Sequence, residues 1–249
     1  MAAALVMETI AFWPVWRWYW IRIGESPEEM WAFAALVTAM FYLLRQPARQ
    51  GSLAIPAAGL SVYAIAYVFL SPVFRGALAS LILGATVWSF RETPRAKGGI
   101  AALLLMSTPA MASLEFVLGF PLRVIAAQLA SLMIASCGFA VERQGTLLQA
   151  GAMLVEVDAP CSGVRMLWAA LYLAFTLSCR FALPAHWMAL AAAGAVVASN
   201  AVRASALFFL ETGRISLPAS AHTATGMAAF LLAAGLLLAL IPRSAWSTR

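Results

Sequence analysis

Three short polar stretches stand out from an otherwise apolar chain. They are Pro160-Cys161-Ser162-Gly163-Val164-Arg165, Ser199-Asn200-Ala201-Val202-Arg203 and Ala221-His222-Thr223. Ionisable side chains are costly within apolar membrane segments, so each is a functional candidate by default. A cysteine thiolate is a nucleophile, and an imidazole can take the proton from its thiol. A guanidinium stays charged and can hold an oxyanion or orient a substrate. Together the three groups describe acyl transfer through a thioester. Cys161 starts a helix, where the positive end of the dipole is expected to lower a thiol pKa. Asn200 lies three residues before Arg203 on one helix face and is placed to orient Arg203 or His222. Arg165, four residues after Cys161, offers a second cation.

Each residue also has a plainer reading when taken alone. Cys161 can be a small buried hydrophobe. Arg203 can snorkel to the membrane interface, and Arg165 can do the same or bind lipid phosphate. His222 can bond to helix-start backbone. Glu115 lies within a span and has no assigned role. Joint placement decides between these readings, and placement depends on the spans.

The 249 residues are 63% hydrophobic and only 10% charged. A soluble domain averages about 45–50% apolar and about 25% charged. This composition excludes a disordered chain, a disulfide-rich secreted scaffold and an ordinary soluble enzyme. It indicates a polytopic membrane protein. The formal net charge is +6, and Lys97 is the only lysine among 16 basic residues. No Lys/Arg-rich run of nucleic-acid type exists, so the charge reads as topology and nucleic acid is not an expected partner. Cys137, Cys161 and Cys179 are too few and too scattered for a disulfide framework. Two histidines, His186 and His222, are too few for a histidine-based metal cluster, and no metal or organic cofactor is expected. The opening MAAALVMETIAFW lacks a basic n-region and carries Glu8, so no cleaved signal peptide is expected.

Candidate spans are 10–23, 30–44, 53–71, 75–90, 99–118, 162–179, 186–206 and 222–241. Basic residues mark the loops at Arg45 and Arg49, at Arg91, Arg95 and Lys97, at Arg180, and in the tail at Arg243 and Arg249. Acidic residues mark Glu25, Glu28 and Glu29, and the longer loop with Glu142, Glu156 and Asp158. Basic loops lie on the cytoplasmic side. The expected fold is therefore an all-α polytopic membrane protein with about eight transmembrane helices and both termini cytoplasmic. In this scheme the whole chain, 1–249, forms one integral membrane domain. Segment 123–140 is expected to be re-entrant or interfacial, with a sharp turn at Gly119 and Pro121. A ninth crossing there would put the acidic loop on the basic side. Residues 141–160 read as an extracytoplasmic loop, with alternation in MLVEVD near Gly145 and Gly151 suggesting a short hairpin. Ala191, Ala195 and Ser199 form a small-residue stripe that lets another helix approach. Trp13, Trp16, Trp18 and Trp20 read as an interfacial aromatic belt.

This topology brings the three polar stretches to one side. Cys161 begins an out-to-in helix. Arg203 lies about 25 Å along an in-to-out helix that starts near His186, and His222 begins the next out-to-in helix. Cys161 and Cys179 are about 27 Å apart along one helix and cannot be bridged. Cys137 is expected to stay unpaired with Cys161.

At these residues the sequence resembles the exosortase/archaeosortase family of membrane-embedded cysteine transpeptidases. The matching stretches are Ala159-Pro160-Cys161-Ser162-Gly163-Val164-Arg165, then Asn200-Ala201-Val202-Arg203, then His222 with Gly226 four residues on. The Cys-Ser-Gly-apolar-Arg block is fairly specific, and the other two count in combination. The resemblance covers roughly 99–242, with the earlier residues similar only as apolar spans. Thr223 follows His222 where many members have serine.

The resemblance implies catalytic roles for Cys161, Arg203 and His222, with Asn200, Arg165, Ser162 and Gly163 in support. It implies eight spans and an active site facing outward from the bacterial cytoplasmic membrane. The implied substrate is an exported, membrane-tethered protein with a C-terminal sorting tail: a short motif such as Pro-Glu-Pro, an apolar span and a basic end. Cleavage near the motif would pass the new carboxyl end to an envelope acceptor, lipid or glycan. A different class of function is also open: a non-enzymatic assembly factor or transporter for envelope polysaccharide, with Arg165 and Arg203 binding anionic sugar or lipid phosphate. A third reading is a plain protease that releases its product to water.

Overall fold

The computed structural model describes residues 1–92, 96–158, 161–213, 221–242 and 246, leaving out the side chains of residues 221 and 222. Arg95, Arg243 and Arg249, used above as topology markers, and Ala159 and Pro160 lie outside the described residues. The chain is a helical membrane protein with one small sheet among the described residues. Among the described residues, four helices are long and apolar enough to cross a membrane: α5 (Pro72–Ser89), α7 (Met111–Ser136), α8 (Val164–Phe181) and α9 (Ala185–Glu211). The remaining helices are α1 (Ala2–Ala11), α2 (Trp13–Glu25), α3 (Trp31–Leu44), α4 (Ala54–Ala66), α6 (Lys97–Met106) and α10 (Ala221–Ala239). The chain divides into two compact units, 1–111 with 175–187, and 112–174 with 188–249.

In the first unit, the expected span 10–23 takes in the end of α1 and most of α2. α1 begins at Ala2, and α2 carries Pro14 in its first turn. Proline has no N–H to give to a carbonyl four residues back, so the helix breaks at Phe12. Phe12 is fully buried there, 4.6 Å from the Tyr63 ring centroid, and packs with Val15, Ala79, Ile82 and Leu83. Glu8 is also buried, and its carboxylate accepts the Thr86 hydroxyl at 2.5 Å. The loops marked by basic residues lie together. Arg49 N–H donates to Phe90 C=O, Glu92 N–H donates to Pro47 C=O, and Arg91 Nη1 donates to Gln46 C=O at 3.1 Å. Gly99 lies under Cys179 and Ser178, where a Cβ would stand 2.8 Å from either side chain. Gly98 similarly faces Ala185. Three basic loops thus gather at one end of this unit.

The sharp turn expected at Gly119 and Pro121 is not present. The helix runs through both, with Pro121 inside α7. Membrane helices tolerate an interior proline where neighbouring groups meet the carbonyl it frees. The break falls earlier, between α6 and α7, where Pro109 follows Thr108. Met111 N–H, at the start of α7, donates to buried Glu29 at 3.0 Å, and Arg22 pairs with the other Glu29 oxygen at 2.9 Å. The expected span 99–118 is therefore α6 plus the first turns of α7.

In the second unit, the expected hairpin is a three-stranded antiparallel meander: β1 (Glu142–Gln144), β2 (Leu147–Ala150) and β3 (Met153–Glu156). Gly145 and Gly151 make its turns with φ of +64° and +62°, a conformation that L side chains rarely adopt. Glu-Arg-Gln of β1 has no apolar alternation to mark it as a strand, and all three residues are exposed. The sheet's buried side chains, Leu148, Val155 and Val157, pack on Ala126, Ala130 and Ile134 of α7 and on Ala204 and Phe208 of α9. The α7 residues fall at four-residue spacing, one helix face. Cys161 packs against this cluster, so the core of the unit fixes the cysteine's position.

Candidate active site

Cys161 stands outside α8. Two residues separate it from Val164, the first residue of the helix. Gly163 turns the chain with φ +81° and gives its carbonyl to Leu167 N–H at 2.7 Å. Buried Ser162 turns its hydroxyl to accept Val164 N–H at 3.3 Å. Gly163 and Ser162 therefore shape and cap the helix entry.

Asn200 has a task at the cysteine itself. Its side-chain N–H donates to Cys161 C=O at 2.9 Å, pinning the backbone of the cysteine. A Cβ at Gly163 would stand 3.1 Å from that same amide nitrogen. Glycine is needed there for the positive φ and for the closeness of Asn200.

Cys161 and Arg203 line one pocket of about 270 Å³, together with β3, the chain leading from it, Leu207 and Thr223. Arg203, Ala204, Leu207 and Glu211 form one face of α9, at spacings of three to four residues. The Arg203 guanidinium rests against α10 at Gly226, within 3.7 Å of where a Cβ would be. Gly226 and His222 are one turn apart on α10. The His222 side chain is outside the described residues, but its neighbour Thr223 lines the pocket. Arg165 is exposed on the first turn of α8 and does not line the pocket. The shared-face argument for Cys161 and Arg165 required both on one helix, and the Gly163 turn removes that condition.

Burial pushes the Cys161 thiol above its ordinary value of 9.0. The Arg203 guanidinium pulls it down, while Asp158 and Glu211 push it up. The expected lowering at a helix start does not prevail, since burial outweighs the cation.

Asp158, Glu156 and Glu211 are pocket residues to which sequence reasoning gave no part in the chemistry. Glu211 follows Arg203 by eight residues, two helical turns, and this spacing was a usable signal. Asp158 and Glu156 mark the acidic loop in the sequence, with no spacing that ties them to Cys161. Asp158 C=O also accepts Cys161 N–H at 2.8 Å. All three cysteines are free thiols. Among the described residues no group of three His, Cys, Asp or Glu could hold a metal ion.

The fold and the site together define a helical membrane protein that holds a thiol and a guanidinium in one pocket. The family can be stated more closely: residues 2–239 match the transmembrane exosortase family, and the chain belongs to it. The match takes in the first hundred residues, beyond the region in which the sequence motifs lie. No curated protein and no solved structure matches the chain.

Proposed function

We propose that this exosortase is a cysteine transpeptidase that cuts the C-terminal sorting tail of exported, membrane-tethered proteins. What carries the reading is the single pocket that holds the Cys161 thiol and the Arg203 guanidinium beside the first turn of α10. Cys161 Sγ attacks the scissile carbonyl as His222 takes its proton. Arg203 stabilises the oxyanion or positions the substrate. His222 returns the proton to the leaving amine, and a thioester remains on Cys161. An envelope acceptor, lipid or glycan, resolves it. The raised thiol fits a mechanism in which the proton leaves during attack.

The outer edge of β3, unpaired among the described residues, suggests how substrate enters. Val157 N–H donates to Thr146 C=O at 3.0 Å. By the alternation of an antiparallel ladder, Val155 and Val157 face β2, while Leu154 and Glu156 turn their backbone groups to the open side. An extended substrate segment can pair there, as edge-binding peptides do. The same stretch leads along the pocket to Cys161.

The proposed topology has eight crossings in the bacterial cytoplasmic membrane, with both termini inside and the pocket outside. The meeting of three basic loops at one end of the first unit supports it. In this scheme α6 and α7 together take the chain once from the basic side to the acidic one. The test is Cys161→Ala and Cys161→Ser in cells expressing a tailed exported protein. Both variants should insert normally and leave the tail uncut. Normal processing by Cys161→Ala would remove the mechanism.

A further inference from the structure

The first unit holds a second cavity, of about 420 Å³, that the proposed chemistry does not use. This size falls in the range of small-molecule sites, about 300–1,000 Å³. Trp13, Trp18 and Tyr67 supply aromatic walls, and Arg17 and Arg75 supply charge. Among the described residues no carboxylate lines it. The Arg75 guanidinium lies 4.1 Å from the centre of the Tyr67 ring. That contact holds the cation in place and leaves its charge uncompensated. Arg75 Nε is buried, with no hydrogen-bond acceptor among the described residues. A buried donor left unmade is costly, so the site is arranged for an acceptor that comes from elsewhere. Pro72 also lines the cavity, which places the first turn of α5, the positive end of its dipole, at the same spot.

The occupant must bring anionic oxygens to two guanidiniums and apolar surface to the rim. Trp13 and Ile21 at that rim are 66% and 52% exposed. We propose that this cavity binds the phosphate of a net-anionic membrane lipid, held between Arg17 and Arg75 with its glycerol and chain starts against the tryptophans. A zwitterionic headgroup would bring a second cation to a site whose described lining has no carboxylate to receive it.

The experiment is native mass spectrometry of the purified full chain, exposed to phosphatidylglycerol or phosphatidylcholine of identical chains, with inorganic phosphate as competitor. The expected result is one retained phosphatidylglycerol, little phosphatidylcholine, and no displacement by inorganic phosphate at the lipid's own concentration. Arg17→Gln with Arg75→Gln should weaken retention about thirtyfold, the effect of two cations near an anionic headgroup. Equal retention by that variant, or equal retention of both lipids, would overturn the proposal. Displacement by equimolar phosphate would make the site one for the free anion and overturn the lipid assignment. If the glutamine pair lowers the thermal midpoint, Arg17→Lys with Arg75→Lys decides. Preference for phosphatidylglycerol in the lysine pair supports the site, and loss of preference in a folded lysine pair refutes it.

Discussion

Gly163→Ala tests the geometry that presents the cysteine. At φ +81° an alanine sits in the left-handed region, at a cost of about 1–2 kcal/mol. Its Cβ would stand 3.1 Å from Asn200 Nδ2 and 3.2 Å from Cγ. Asn200 must give way, and its bond to Cys161 C=O, worth about 1 kcal/mol, is strained or lost. The expected total is about 2–3 kcal/mol. Part of this cost belongs to the pair. In an Asn200→Ala background the bond is already gone and the clash is relieved, so only the backbone strain remains. The double-mutant cycle should therefore show a coupling of about 1 kcal/mol. The assay is equilibrium unfolding of the four proteins in mixed micelles with SDS. A cost below about 0.5 kcal/mol for Gly163→Ala, or strict additivity with Asn200→Ala, would refute this account of the turn.

Two further outcomes concern the thiol and the sheet edge. In a Cys137→Ser, Cys179→Ser background, alkylation of Cys161 should be slow at neutral pH. Its rate should climb with pH to beyond 9.0, because burial raises the thiol. Asp158→Asn removes a charge that raises it and should move the profile to lower pH, while Arg203→Gln should move it higher. A rate flat from neutral pH to 9.0 would mean a resting thiolate and would contradict the charge balance described. Glu156→Pro removes an N–H that faces the open edge of β3, and Val155→Pro removes one that faces β2. The first should abolish tail processing while the thermal midpoint holds; the second should lower the midpoint itself. Processing that survives Glu156→Pro would rule out substrate pairing along that edge.

Hydropathy, loop charges and a rise of about 1.5 Å per residue are enough to bring Cys161 and Arg203 to one place. In the structure they line one pocket. The glycines at 145 and 151 marked the sheet because only a turn explains them in a polar stretch. Other features depend on contacts that no local pattern carries. Phe12 and Pro14 break a hydrophobic run that hydropathy reads as one span. Pro121 looks like a stop, yet the helix passes through it and breaks near Pro109 instead. Asn200 sits one turn from Arg203, so spacing tied it to that residue; its bond to Cys161 C=O crosses 39 positions of sequence. Spacing puts Arg165 on one helix face with Cys161, but α8 begins at Val164 and the left-handed Gly163 lies between the two residues. Glu211 stands two turns beyond Arg203 on the face that lines the pocket, and the same helical spacing could have found it.

The central claim is a covalent step at Cys161, and its most direct measurement is intact mass spectrometry of this protein isolated from cells making a tailed exported protein. The account predicts an adduct on Cys161 that neutral hydroxylamine releases and that Cys161→Ala lacks. Tail cleavage that continues in Cys161→Ala, with no hydroxylamine-labile adduct on the native chain, would contradict it.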